Sequence, residues 1–415
     1  MKDRLHNLRS LILILILIST GCDSQTSEKK LPLHVQELEN LQIFTPNQGL
    51  KPNIELTRQS IYKGGDKLII GSLLNFEVDN NGNVYLADWE QKQIHVFNGE
   101  GDYLKSLGNE GVGPGEFQTF SEMNISGDSL HVFDRMQFKI NTFELNEITF
   151  ANTTTIRQYP KNSEEHKEVM GWIPMYVTPR YDGTSLVGFL KHPRDSRINR
   201  DTYNIGEVRK VKYYFMDYKR NIISDKLFEL RDHEDLAVTV KGKHYTSMRS
   251  QPYLGKSLVT DPSRNKFITN WTEDFLLKIY NKEGNYERAI YYPVYKRRAL
   301  KREDLLTYLE EEDWNRPVVE HAELPEKWPI IYSVNIDENG CIWVLTINDG
   351  DRMLQWLVLN ENGKIIGKAN LPEELSLEWL MEKPKIAIKN GSLYTNEIDP
   401  KNGADRLVRY ISDIL

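Results

Sequence analysis

Apolar and polar positions alternate with little interruption between residues 74 and 117. Phe76 and Val78 alternate with polar neighbours, Asn81-Gly82 turns the chain, and Val84 and Leu86 alternate in a second run. Ile94, Val96 and Phe97 form a third run, and Gly99 to Gly101 turn again before Tyr103 to Leu107. A period of two broken by Asn/Gly turns is the signature of hairpins, so this stretch predicts a four-stranded antiparallel meander.

The pattern recurs. Asn75–Val78 leads through a turn to Asn83–Leu86, Met123–Ile125 through Gly127-Asp128 to Leu130–Phe133, and Tyr176-Val177 through Asp182-Gly183 to Ser185–Val187. Ser257–Val259 leads through Asp261-Pro262 to Lys266–Ile268, Ser333–Ile336 through Asn339-Gly340 to Ile342–Leu345, and Ile386–Ile388 through Asn390-Gly391 to Leu393-Tyr394. Third runs follow at Ile94–Phe97, Ile140–Phe143, Tyr213–Met216, Leu276–Tyr280, Trp356–Leu359 and Leu407–Tyr410. Six such units are the mark of a repeat architecture in which each unit packs on its neighbours. The last unit ends too soon for a fourth strand, and an open edge strand is a liability. Residues Ile54–Tyr62 are therefore expected to supply its outer strand and close a ring. Leu31–Phe44 are expected to add a further strand or to pack outside.

Within an antiparallel four-stranded unit, the links from second to third strand and from one unit to the next lie on one face. The tight Asn/Gly turns lie on the other. The long insertions are all of the first kind: Asn152–Trp172, the charged Lys191–Lys210, Arg231–Gly255 and Pro293–Trp328. The last holds one predicted helix, about Lys301–Asp313, with Leu305, Leu306 and Leu309 on one face. Long loops on a rigid scaffold are where binding residues concentrate. Second-strand ends point to the same face, which makes Trp89, Arg135 and Trp271 candidate ligand-binding residues, together with His192 and Arg194 of the Lys191–Lys210 loop. Asp88 and Asp134, beside them, read as caps of the turn through bonds to backbone.

The N-terminus changes the picture by adding an address. Lys2, Arg4 and Arg9 precede eight unbroken apolar residues, Leu11–Ile18, and Ser19-Thr20-Gly21-Cys22 follows. The apolar run is too short to span a bilayer and suits a signal-peptide core. Cys22 directly after Gly21 is similar to a bacterial lipoprotein cleavage site, although Ser19 stands where Leu is usual. Residues 1–21 are thus expected to be a signal peptide, Cys22 the lipidated residue, 22–30 a polar flexible tether and 31–415 the folded body. The expected location is the cell envelope, most simply the outer membrane, facing the periplasm or the surface. The remaining cysteine, Cys341, then has no disulfide partner and reads as a buried strand thiol. The formal net charge is −7, and removing residues 1–21 leaves −9. An acidic, aromatic-rich body argues against nucleic acid as a partner.

The 74–117 stretch, with its Gly111-Val112-Gly113-Pro114-Gly115-Glu116-Phe117 ending, resembles an NHL repeat, although Lys92 and Gln93 stand where that repeat usually carries Asn and Arg. With the lipoprotein signal, the whole chain is similar to six-bladed β-propeller lipoproteins of Bacteroidetes-like bacteria. The resemblance implies an all-β six-bladed propeller of four-stranded antiparallel blades. An N-terminal strand would close the ring, and one short helix would lie between blades four and five. It transfers fold and address better than activity. The leading expectation is a non-catalytic binding or scaffold lipoprotein whose loop-rich face takes a glycan, peptide or envelope protein, with no cofactor. The alternative is a metal-dependent hydrolase or lactonase with calcium or zinc in the central channel. Glu77, Asn124, Asn335, Asp337, His131, His192 and His244 are the polar groups it could draw on, and no pair has a spacing that demands a metal.

Overall fold

The computed structural model describes residues 31–45, 54–65, 68–159, 165–191, 209–247, 250–260, 266–293, 296–349, 353–372, 375, 377–382 and 384–412. The chain divides into two units, Met1–Glu37 and Leu38–Leu415. In the first, the described residues hold one short helix, Leu33–Gln36; the expected signal peptide, Cys22 and the tether lie outside the described residues. The second unit is a six-bladed β-propeller.

Blade one is Leu73–Val78, Val84–Asp88, Gln93–Phe97 and Tyr103–Leu107, and blade two is Glu122–Ser126, Ser129–Asp134, Lys139–Glu144 and Thr149–Thr155. Blade three is Ile173–Pro179, Ser185–Leu190, Lys210–Met216 and Phe228–Arg231. Blade four is Ser257–Val259, Lys266–Trp271, Leu276–Asn281 and Tyr286–Tyr291, and blade five is Ile331–Ile336, Ile342–Ile347, Leu354–Leu359 and Ile365–Asn370. Blade six takes Ile386–Lys389, Ser392–Ile398 and Asp405–Ser412 from the C-terminal end and Leu56–Lys63 from the N-terminal end. That last strand runs antiparallel to Asp405–Ser412, with Leu56 opposite Ser412 and Lys63 opposite Arg406, so the ring closes where the pattern of short and long units predicts.

Among the described residues, the core consists of six apolar clusters, one between each pair of neighbouring blades. Tyr85, Ile94 and Val96 of blade one meet Met123, Leu130 and Phe143 of blade two. Trp343, Trp356 and Val358 of blade five meet Ile388, Leu393 and Tyr410 of blade six. A middle strand is covered on both sheet faces by adjacent blades, which is why Val84–Asp88 and Ile342–Ile347 are buried at every residue. The glycine-rich Gly111–Phe117 segment serves the same packing. It leaves blade one and seats fully buried Phe117 against Phe120 and Phe143, with ring centroids 4.6 and 6.1 Å away. Gly108 and Gly115 adopt left-handed φ of 73° and 75°, which only glycine takes without strain.

The tight turns share an aspartate device. Asp79 Oδ1 accepts the Asn81 and Asn83 backbone N–H groups, both at 2.8 Å, and Oδ2 accepts the Tyr85 hydroxyl at 3.0 Å. Asp337 repeats this in blade five: Oδ1 accepts from Asn339 and Cys341 at 2.9 Å, and Oδ2 from the Trp343 indole at 2.8 Å.

Ahead of its ring-closing strand, the N-terminal segment follows the outer rim. Leu41–Ile43 adds a fifth, parallel strand to blade four beside Tyr286–Tyr291, and Phe44 stacks on Tyr292 at 5.4 Å. Ile54 then bridges Ala369 on blade five.

The helix expected over Lys301–Asp313 is corrected to two, Arg302–Leu306 and Arg316–His321. Glu310, Glu311, Glu312 and Asp313 would crowd negative charge at the negative end of a longer helix. Pro317 suits the first turn of a new one, and Asp313 accepts the Asn315 N–H at 2.6 Å between them. A hairpin, Ala237–Val240 with Lys243–Thr246, and a helix, Leu377–Met381, also decorate the connections; both are too short to show a period in the sequence.

Candidate functional site

Alternate side chains of each innermost strand point into the central channel, because strand side chains alternate between faces. Asn75 and Glu77 come from blade one, Glu122 and Asn124 from blade two, and Tyr176 and Thr178 from blade three. Blades four to six add Ser257 and Val259, Asn335, and Ala387 and Lys389. The channel volume is about 470 Å³, within the range of small-ligand sites. It extends between blades three and four, where Leu186, Val211 and Tyr213 line it, and Tyr176 stacks on Tyr213 at 6.4 Å.

Charge gathers at two places. At the seam of blades six and one, Glu77 lies 3.7 Å from Lys385 Nζ and 3.6 Å from Lys389 Nζ. Lys385 also donates to the Phe76 carbonyl at 3.1 Å and to the Asn75 side-chain oxygen. Across the channel, the link from blade three to blade four carries Asp232 and His233. The Asp232 carboxylate accepts the Tyr176 hydroxyl and pairs with Arg209 at 2.9 Å and with His233 Nδ1 at 3.1 Å. His233 Nε2 faces Asp235 at 3.2 Å. Burial works against a charge on this imidazole, but bonds to Asp232 and Asp235 outweigh it and hold its pKa up at about 9.

Glu122 is shifted as well. Burial pushes its carboxyl up to about 7, against the opposing effects of the Val177 N–H, which it accepts at 2.8 Å, and of the Lys385 and Arg135 charges. Tyr176 and Tyr213 beside it are raised well above the usual phenol value, chiefly by burial.

The candidate residues fall at different places. Trp271 adjoins the channel: its ring carries the Arg231 guanidinium 3.9 Å from its centroid, and Arg231 lines the channel wall. Gly255 also approaches the ring closely: a Cβ there would stand 2.4 Å from Trp271. Trp89 occupies the matching corner of blade one and has the Lys92 ammonium 3.3 Å from its ring centroid. Arg135 is exposed at the corner of blade two. His192 and Arg194 lie outside the described residues. Asp88 and Asp134 cap backbone. Asp88 accepts N–H groups of Gly71, Ser72, Glu90 and Gln91, and Asp134 those of Gln118, Thr119, Met136 and Gln137.

Of the groups a channel metal could draw on, Glu77, Asn124 and Asn335 line the channel. Asp337 is committed to its turn. His131 sits against Thr142 at 3.1 Å, its pKa pushed down to about 4 by burial and then by Arg220, and His244 lies on the added hairpin. Among the described residues no three His, Cys, Asp or Glu side chains gather as a metal site. The sequence reading missed Glu122, Tyr176, Asp232, His233, Lys385 and Lys389. For Glu122 and Lys389 the signal was present, since each lies in phase with a channel-facing residue two positions away or at a strand end.

Residues 64–228 match a family profile described as a 6-bladed beta-propeller. No curated sequence matches the chain. Among solved structures, it is similar to a member of the DUF4221 family from Bacteroides vulgatus at 12% identity and a TM-score of 0.49, over 88% of this chain and 99% of that one. It is also similar to a Bacteroides fragilis protein designated as exported, at 12% identity and 0.48, over 86% and 94%. The aldose sugar dehydrogenase of Streptomyces coelicolor follows at 11% and 0.42, over 88% and 100%. No residue role follows from likenesses this remote.

Proposed function

We propose that this six-bladed β-propeller is a lipid-anchored binding protein of the cell envelope, taking its ligand in the central channel from the loop-rich face. The observation that carries the reading is the channel: about 470 Å³, walled by the inner strands of all six blades, with polar groups converging from each. Such walls are preorganised, so binding need not order the groups that make contact. Asp232 and His233, from the link between blades three and four, also line the channel, which fits recognition by decorated loops. The apolar leader and Cys22 support export and anchoring. A glycan, a peptide or a segment of an envelope protein would each suit the site.

The test is a plugged channel. Asn335→Trp fills the cavity without changing charge. Ligands selected by the full-length chain on glycan and peptide arrays should lose at least about tenfold in affinity to the variant, while its thermal melt stays close to wild type. A ligand that binds the plugged protein equally well sits elsewhere, and the channel reading fails.

A further inference from the structure

The charged groups of the channel wall are matched within the protein. Glu77 pairs with Lys385 at 3.7 Å and with Lys389 at 3.6 Å, and Lys385 also donates to the Phe76 carbonyl at 3.1 Å. Asp232 pairs with Arg209 at 2.9 Å and with His233 at 3.1 Å, and His233 also faces Asp235 at 3.2 Å. Arg231 pairs with Glu234 at 3.2 Å and lies over the Trp271 ring. The Lys256 ammonium lies over the Tyr332 ring, 5.0 Å from its centroid. Glu122 accepts the Val177 N–H at 2.8 Å, and burial pushes its carboxyl up to about 7, so it is largely neutral at pH 6. Glu77 Oε2 and Asp232 Oδ2 lack a hydrogen bond, but each faces its counter-charge, Lys389 at 3.6 Å and Arg209 at 2.9 Å.

The uncharged polar groups of the same wall are uncommitted. The Asn124 side-chain amide makes no hydrogen bond among the described residues, and the buried Ser250 Oγ has no partner among them. Thr178 and Ser257 add hydroxyls to the wall. The Tyr176 ring stands beside them in a fixed pose: its hydroxyl donates to Asp232, and it stacks on Tyr213 at 6.4 Å with 21° between the planes.

We infer that the channel takes a neutral sugar, with hydroxyls bonded to Asn124 and Ser250 and an apolar face of the ring against Tyr176. This rests on the channel being the binding site. Amide and hydroxyl groups both donate and accept, as sugar hydroxyls do, so each hydration bond the sugar gives up has a replacement in the wall. An ion entering the channel loses its hydration and meets opposite charges that are already matched, which selects against it. A flat aromatic ring held in place suits the C–H face of a pyranose, because nothing has to be ordered on binding. The volume of about 470 Å³ has room for a hexose.

The experiment uses the full-length chain in mild detergent at pH 6, titrated calorimetrically with glucose, galactose and mannose. Glucuronate, galacturonate and glucosamine serve as charged probes on the same ring scaffolds, and N-acetylalanine amide as a neutral peptide probe. At least one neutral hexose should bind, and its charged counterparts should bind at least about tenfold more weakly. Added salt should leave hexose affinity within about twofold, since no unmatched charge attracts it. Asn124→Ala and Ser250→Ala should each weaken the hexose about three- to tenfold, the value of one neutral hydrogen bond, with melts close to wild type because neither group bonds within the protein. A uronate, the amine or the peptide amide binding more tightly than every hexose, and blocked by Asn335→Trp, overturns the neutral-sugar inference and leaves the channel reading standing. Saturable binding of no neutral hexose overturns the inference as well, as does hexose affinity unchanged in both alanine variants. Hexose binding that survives Asn335→Trp overturns both the inference and the channel reading.

Discussion

Asp79 and Asp337 each hold a whole hairpin turn with one carboxylate. Two backbone N–H groups converge on one oxygen while a buried aromatic donor, Tyr85 or Trp343, binds the other. Both carboxylates are nearly buried, at 2% and 4% exposure, so removing either strands one donor in the core, the Tyr85 hydroxyl or the Trp343 indole N–H. Asp337→Ala is expected to cost about 2–3 kcal/mol in urea unfolding, because the Trp343 indole N–H is left unpaired in the core. Asp337→Asn keeps an acceptor and should cost less. Asn339→Ala, on the same turn, should stay within about 0.5 kcal/mol. An Asp337→Ala protein as stable as wild type would mean that the turn is fixed by its glycine alone. At this scale the sequence is explicit about turns, since Asp-x-Asn-Gly chemistry is local. It is less explicit about the channel. Lys385 reaches Glu77 only because blade six is brought against blade one, and no spacing along the chain announces a neighbour some three hundred positions away.

The rim-following N-terminal segment is where elements separate structural roles. Leu41–Ile43 and Phe44 add to blade four from outside, whereas Leu56–Lys63 is an integral strand of blade six, with Tyr62 fully buried between Phe97 and Tyr394. Deleting residues 1–45 should leave a cooperative melt lowered by only a few degrees. Deleting residues 1–63 opens the ring and should abolish cooperative unfolding and admit protease at the blade-six edge. Tyr62→Ala, with the strand retained, is expected to cost about 3–5 kcal/mol. Equal melts for the two deletions would show that the N-terminal strand is dispensable. The six units, their tight-turn face and this closing strand were legible because period-two patterning and edge logic are local rules. The split helix and the Ala237–Thr246 hairpin were not, since pieces of four to six residues carry too little periodicity and are held by packing. Trp314, for example, donates its indole N–H to the Thr246 carbonyl at 3.0 Å and so ties the helical insertion to the hairpin.

For the whole molecule, the expectation that matters most is the address. If Cys22 carries lipid, full-length protein should sediment with membranes and Cys22→Ser protein should move to the soluble fraction with its melt unchanged. Retention of the serine variant on membranes would assign attachment to some other feature. The blade architecture also bears on synthesis. The strand that closes the ring, Leu56–Lys63, precedes blade one, and its partner, Asp405–Ser412, follows every other strand of the ring in the sequence. A chain leaving the ribosome or a translocation pore in order must carry its first strand unpaired until all the other strands have emerged. Any product that stops short of Asp405 keeps an open seam, because the partner strand of Leu56–Lys63 is missing and with it Leu407, which stands opposite Tyr62. Ring closure therefore waits on the synthesis of Asp405–Ser412: until that strand is present, Leu56–Lys63 keeps an exposed edge that a protease can reach.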